Sequence, residues 1–181
     1  MKKNIGKNPV LYPAPLAVVG AMVNSKPNYV LVGHLGIIGH DRVMVSLSKT
    51  HYTNQGIKEN RSLTINLVDE AMLAKADYVG CVSGNTTDKS GVFDYDTAEI
   101  GAPIIKESPL VMECIVDDIY KTEGFESFIC KIAAVYADET ILDEKGKINY
   151  EDFKPILFEM PTYQYLRTGG VIGDCMKIAK P

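Results

Sequence analysis

Apolar residues in the first half of the chain fall in short runs. Residues 16–23, 29–32, 43–48 and 63–68 are rich in valine, isoleucine and leucine, and each run is bounded by Gly, Pro, Asn or Ser. That pattern predicts successive β-strands. Further on, Leu110, Met112, Cys114 and Val116 alternate with Glu113 and Asp117. A period of two over 110–120 and again over 128–137, with a link of 121–127 containing Gly124, predicts a hairpin. A last strand is expected at 155–159, after the acidic and lysine-rich turn 143–152. The polar run 50–60 predicts one short helix. A second is predicted over 69–80, where Asp69 can cap, Glu70 suits the positive end of the helix dipole, and Leu73, Ala76 and Gly80 keep a helical period. We expect this second helix to pack over a barrel opening. Segments around 24–28, 84–91 and 101–109 read as loops. Six or seven strands with few helices predict a mainly β fold closed as a barrel, because closure removes exposed strand edges.

Length and composition narrow the class. The 181 residues are expected to form a single domain, 1–181, since one core usually holds roughly 100–200 residues. With 46% hydrophobic and 23% charged residues the chain can bury a full core. The net charge of −4 is spread out, with no Lys/Arg cluster to neutralise a run of phosphates, which argues against nucleic-acid binding. The longest apolar run is far short of the ~20 residues of a membrane span, and no signal-peptide core is present, so a cytoplasmic protein without a membrane partner is expected. Cys81, Cys114, Cys130 and Cys175 form no CxxC or CxxxH pattern, so no metal site is assigned. Cys114 and Cys130, in strand-like runs, read as buried free thiols.

The candidate chemistry lies in two polar segments. GxGxxG and GxxxxGK[ST] are both absent, which leaves no support for a Rossmann or P-loop site. In the segment from Ser46 to Thr53, Ser46 and Ser48 lie two apart on a strand and share a face. Lys49 adds charge, and Thr50 and Thr53 stand where a helix begins. Hydroxyls beside a helix N-terminus can cradle a phosphate without a glycine loop; an ordinary strand end with a Ser/Thr cap would read the same way. In the second segment, Ser83-Gly84-Asn85-Thr86-Thr87-Asp88-Lys89 is small and polar, and Gly84 is free to take a backbone angle closed to other residues. Such a loop can lay backbone groups and Lys89 against the edge of a planar ring, or can simply join a helix to a strand. His34, His40 and His51 are too scattered for a metal triad, and no carboxylate pair or Ser/His/Asp arrangement is legible, so no general acid or base is assigned.

In order along the chain, these segments resemble the flavin reductase-like FMN-binding split β-barrel family, and most closely its flavoredoxin branch. Pro15-Leu16-Ala17-Val18-Val19 with Lys26-Pro27-Asn28 resembles the family's opening hairpin. Gly33-His34-Leu35-Gly36-Ile37 occupies the run where flavoredoxins carry Ala-Trp-Thr-Gly. Ser46 to Thr53, Ile57-Lys58-Glu59-Asn60 and Ile65-Asn66-Leu67 resemble its strand, phosphate turn, helix and "VNL" strand. Ser83-Gly84 with Asp88-Lys89, and Ala102-Pro103-Ile104-Ile105 with the run 110–114, resemble two later segments. The resemblance spans about 13–173. It implies a Greek-key split barrel with a few short helices, and FMN as cofactor. The phosphate would meet Ser46, Ser48, His51 and Thr53, while Asn66, Ser83, Gly84 and Lys89 would lie toward the ring or ribityl chain, with His34 and Leu35 facing the flavin. It also implies NAD(P)H as electron donor, free flavin or an electron-acceptor protein as the recipient, and a homodimer with the flavin near the subunit interface. Two departures stand out. His34 replaces a flavin-facing tryptophan, removing a large stacking surface. The Gly-Asp-His turn of many flavin reductases is here Glu123-Gly124-Phe125-Glu126. An FMN carrier without its own NAD(P)H turnover, and a flavin-free barrel serving as a binding module, are therefore alternatives.

Overall fold

The computed structural model describes residues 1–178. In chain order the elements are β1 (Ala14–Pro15), β2 (Ala17–Val23), β3 (Lys26–Val32), β4 (Leu35–Gly39), β5 (Arg42–Ser48), α1 (Thr53–Asn60), β6 (Ser62–Leu67), α2 (Leu73–Cys81), β7 (Tyr95–Thr97), β8 (Pro103–Ile105), β9 (Leu110–Lys121), β10 (Phe125–Ala137), a single 3₁₀ turn (Glu139–Ile141), β11 (Leu157–Glu159) and β12 (Gln164–Leu166). Seven strands form one antiparallel sheet in the order β3-β2-β6-β9-β10-β5-β4, with smaller sheets β1-β11-β12 and β7-β8 beside it.

Strands β3 and β4 are the two edges of the large sheet, yet only Gly33 and His34 join them. Two residues span a few ångströms, whereas a flat seven-stranded sheet is roughly 30 Å across at ~4.8 Å per strand. The sheet must therefore roll until its edges meet, giving a split barrel whose hydrogen-bond ladder stays open. The backbone amide of Ser46 donates to the carbonyl of His34 at 3.0 Å, tying the joining segment to β5. At the start of the roll, Asn24 and Ser25 both take positive φ, 50° and 64°. That is the mirror-image turn suited to the twist of a two-residue hairpin, and it extends β3 back to Lys26, where the sequence reads as a loop.

The period of two sorts residues between two cores. Ala17, Val19 and Ala21 face the barrel interior with Val30, Val45, Leu63, Cys114, Phe128 and Cys130. Leu16 and Val18 face outward and pack with Tyr29, Met72, Ala76, Val79 and Phe93. Cys114 and Cys130 are free and fully buried, as read from their strand runs, and burial pushes the Cys130 thiol up to about 12. The second helix does not take the place expected of it over a barrel opening. α1 puts Ile57 into the barrel core, while Ala76 and Val79 of α2 lie in the outer cluster against β3. Its start moves too: α2 begins at Leu73, with Asp69 Oδ1 accepting from the Met72 amide at 2.9 Å in the preceding turn.

Candidate functional site

The rolled edge, the start of α1 and the loop after α2 enclose three connecting hollows. The first, about 330 Å³, runs between Asn28, His51, Thr53, Gly80, Ser83 and Gly84. The second, about 170 Å³, includes His34, Ser46, Ser48, His51, Phe125 and Met160. The third, about 490 Å³, is lined by Leu11, Tyr12, His34, Leu35, Met44 and Phe125 among others. His51 lines the first two, and His34, Ser46 and Phe125 line the last two, so the hollows form one band that is polar at one end and aromatic at the other. A larger hollow of about 760 Å³, beside Tyr136, Leu142 and Tyr150, contains none of the residues singled out in the sequence.

At the polar end, β5 delivers Ser46 and Ser48 to the same side, as alternation requires. Ser48 Oγ lies 2.9 Å from Thr50 Oγ1, and Ser46 Oγ lies 2.9 Å from Ser127 Oγ on β10. Helix α1 starts at Thr53 without a side-chain cap. The amides of Asn54 and Gln55 turn back onto the carbonyls of His51 and Tyr52, so that of the first three helical amides only that of Thr53 is left without a backbone partner. Thr53 is buried, and its hydroxyl oxygen accepts from Asn28 Nδ2 at 2.7 Å. Burial lowers the pKa of His51, and the charge of Lys89 lowers it further, favouring a neutral imidazole. Lys49 turns away from the cleft: its Nζ donates to the Glu123 carbonyl of the β9–β10 turn at 2.9 Å.

Gly84 does not owe its identity to an unusual backbone angle, since its φ is not positive. The cause is close approach. A β-carbon there would stand 2.7 Å from Asn28 Oδ1 and 2.8 Å from the Tyr52 ring. Ser83 anchors the turn, its carbonyl accepting from the amides of Thr86 and Thr87 at 3.1 and 2.9 Å. Lys89 lines the cleft but is buried, and its Nζ donates to the carbonyls of Tyr29 and Val79 at 3.0 and 2.8 Å, stapling β3 to the last turn of α2. Burial brings its pKa from 10.5 down to about 8. Between those values the unfolded chain binds more protons than the folded one, so this lysine adds stability as pH rises. From pH 8 to 10.5 the wild type should gain roughly 1–3 kcal/mol over Lys89→Met, read from urea midpoints. Parallel pH profiles of the two proteins would contradict that role.

Of the ten residues that the resemblance places at the flavin, all line the band except Asn66. Its side chain is fully buried in β6, donating to the Val18 carbonyl and Thr64 Oγ1, both at 3.0 Å, and accepting from the Ile105 amide at 3.0 Å. It ties β2, β6 and β8 together and has no face toward the cleft. The sequence reading also missed contributors. Tyr12, Phe125 and Met160 come from three distant segments, and no local pattern marks them. Asn28 is different: a polar residue opening the apolar run at Tyr29 was a visible signal. The turn at Glu123-Gly124-Phe125-Glu126 gives Phe125 to the aromatic wall, 5.8 Å from the His34 ring. Glu126 is buried there, accepting from Asn54 Nδ2 at 2.9 Å and paired with Lys58 at 3.2 Å, which anchors α1.

A rolled, split antiparallel barrel with a hydroxyl-rich helix start at one end of a flat cleft and aromatic rings at the other defines a class of small flavin-binding folds. The chain matches the flavin reductase-like domain family over residues 10–166 and belongs to it. It is similar to the flavoredoxin of Methanosarcina acetivorans, with 34% identity, a TM-score of 0.94 and coverage of 98% of this chain and 97% of that one. It is similar to the flavoredoxin of Desulfovibrio vulgaris (Miyazaki F), with 29% identity, a TM-score of 0.92 and coverage of 99% and 100%. An FMN-binding protein from Thermus thermophilus shares the fold at 22% identity and a TM-score of 0.78, covering 92% and 96%. An uncharacterized protein of Aquifex aeolicus is 24% identical over 107 residues, which span 58% of this chain and 55% of that relative's length. The likeness to the two flavoredoxins puts the chain in that branch of an FMN-binding flavoprotein family. No helix among the described residues is long and apolar enough to cross a membrane.

Proposed function

We propose that this chain holds one FMN in the band, accepts hydride from NAD(P)H and passes the electrons to free flavin or to a partner protein. The observation that carries this reading is the continuity of a polar cleft with an aromatic chamber through His51 and His34. The residues present fit the group. Hydroxyls of Ser48, Thr50 and Thr53, the free Thr53 amide at the start of α1 and the imidazole of His51 suit a phosphate and a polyol chain. Ser83 and Gly84 wall that end, while Ser46, His34, Leu35 and Phe125 suit a flat ring. The buried ammonium of Lys89 supplies positive charge behind the cleft without leaving its two carbonyls. When bound, the flavin supplies the capacity to take two electrons as hydride and release them singly or in pairs. The chain binds and orients, and its rolled edge shields the ring from water. A homodimer in the cytoplasm completes this reading, supported by the family resemblance.

A second reading, a carrier that keeps FMN but does not turn over NAD(P)H itself, is favoured by the similarity to flavoredoxins and by Glu126, which is committed to Asn54 and Lys58 where a turn histidine would stand. Anaerobic stopped-flow mixing with NADH and NADPH separates the two. Flavin bleaching at one or more turnovers per second, the low end of ordinary enzyme rates, is the expected result; no bleaching over minutes with either nucleotide would leave the carrier.

A further inference from the structure

The hollow of about 760 Å³ beside Tyr136 and Tyr150 takes no part in the proposed flavin site. Its walls are Val135 and Tyr136 of β10 and, in the segment 138–152, Leu142, Ile148 and Tyr150. That segment is folded tightly on itself. Leu142 pairs with Ile148, and the amides of Asp143 and Asn149 donate to the carbonyls of Lys147 and Ile141 at 2.7 and 2.8 Å. Ile141 and Phe153 anchor it in the barrel core, yet Val135, Tyr136 and Tyr150 stay exposed. Beside them the sheet has a gap in its pairing. β10 pairs with β5 only from Phe125 to Lys131, after which the Ile132 amide donates to the Asp41 carbonyl. From Ala134 to Ala137 it pairs with β9 alone, so its other edge carries no backbone hydrogen bond among the described residues. An open strand edge beside an apolar hollow is a template for an extended peptide.

The charge of the rim says which peptide. Segment 138–152 carries Asp138, Glu139, Asp143, Glu144, Glu151 and Asp152 against Lys145 and Lys147. All six acidic residues are exposed, and none belongs to an ion pair among the described residues. Residues 1–11 have the complementary make-up: Lys2, Lys3 and Lys7, no acid, and Met1, Ile5, Val10 and Leu11 as apolar side chains. This arm contains no helix or strand, and Ile5, Val10 and Leu11 are 67%, 61% and 94% exposed, so they find no cover in their own chain.

We propose that the N-terminal arm of one copy lies along the open β10 edge of a second copy, with Ile5 in the hollow and Lys2, Lys3 and Lys7 against the acidic rim. The exchange is reciprocal, as a two-fold dimer requires. It rests on the homodimer of the proposed function and names the surface that makes it. Pro9 and Leu11 of the same arm line the aromatic hollow, so docking its outer half on the partner fixes one wall of the flavin chamber. A basic arm from an unrelated protein could read the same rim. Here the chain supplies the arm itself, at equal concentration and with apolar residues otherwise left in water.

The test has two parts, both on the full chain. Sedimentation equilibrium at low salt compares the wild type with K2E/K3E/K7E, and with that variant carrying Asp143→Lys, Glu144→Lys and Glu151→Lys as well. Reversing the charges of the arm should weaken dimerisation at least about tenfold, and reversing the rim to match should recover most of the loss. In the second part, p-benzoylphenylalanine replaces Ile5 in a mixture of nitrogen-14 and nitrogen-15 chains after subunit exchange. Irradiation should join position 5 to peptides within 133–150, in products with one isotope on each side. Crosslinks confined to one chain, crosslinks to another surface, no crosslink, or a dimer whose strength ignores the charge reversals overturns the proposal and leaves the homodimer standing. A wild type that sediments as a monomer at every concentration overturns both.

Discussion

Gly56→Ala is expected to destabilise the fold by about 3 kcal/mol, at the upper end for overpacking a close contact. In a domain of this size that lowers the melting temperature by roughly 6–12 °C. The cause is a contact between elements. α1 lies so close to β2 that a β-carbon at position 56 would sit 2.0 Å from the Met22 carbonyl oxygen and 2.8 Å from Val23 Cγ2. A backbone carbonyl cannot swing aside, and this one also accepts from Asn60 Nδ2 at 2.9 Å. The helix would have to lift, withdrawing Ile57 from the barrel core and carrying Thr53 and Asn54 with it. Gly91→Ala is the control: a β-carbon there meets nothing within 4 Å, so its effect should stay within about 0.5 kcal/mol. Thermal melts of the two variants that coincide with each other would refute the packing argument.

Gly84→Ala should act on the site and spare the fold. The added methyl pushes Asn28 Oδ1 or the Tyr52 ring, and Asn28 is the residue that holds Thr53 Oγ1 at 2.7 Å. Displacing either opens the polar cleft where the phosphate end of FMN is proposed to rest. FMN affinity is expected to fall by about tenfold to a hundredfold, the equivalent of one or two hydrogen bonds to a charged group. The loop is only partly buried, so the melting temperature should move by less than in Gly56→Ala. Fluorescence titration of FMN with each variant reads the affinity. Unchanged affinity would remove the loop after α2 from the flavin site.

What the sequence discloses here depends on how local each signal is. Alternation needs only neighbours, so every strand of the large sheet but β4, the buried thiols and the shared face of Ser46 and Ser48 are legible directly. β4 is not among the predicted strands: Gly36 and Gly39 interrupt its apolar run, and Ile37 and Ile38 are exposed on an edge strand paired with β5. The second helix is misjudged because apolar count is a poor guide to depth. α1 offers one long apolar side chain, Ile57, yet Gly56 lets the helix come close enough to β2 for Ile57 to enter the barrel core, whereas the more apolar α2 packs in the outer cluster. Asn66 and Lys89 show the limit for polar residues. Both stand in segments that resemble a flavin site, but their partners, Val18 and Ile105 for one, Tyr29 and Val79 for the other, lie far away in sequence. Tertiary pairing alone decides that Asn66 is a tie within the sheet and Lys89 a staple behind the cleft. The flavin reductase-like order of segments survives this because it rests on their succession and not on any one contact.

The measurement that bears most directly on the central claim is titration of FMN with the purified wild-type chain, followed by flavin fluorescence and by the inorganic-phosphate dependence of the midpoint. Quenching that saturates at one flavin per chain, weakened by phosphate competing at the α1 end of the cleft, is the result expected. Fluorescence that stays that of free FMN at protein concentrations well above the flavin's would contradict it.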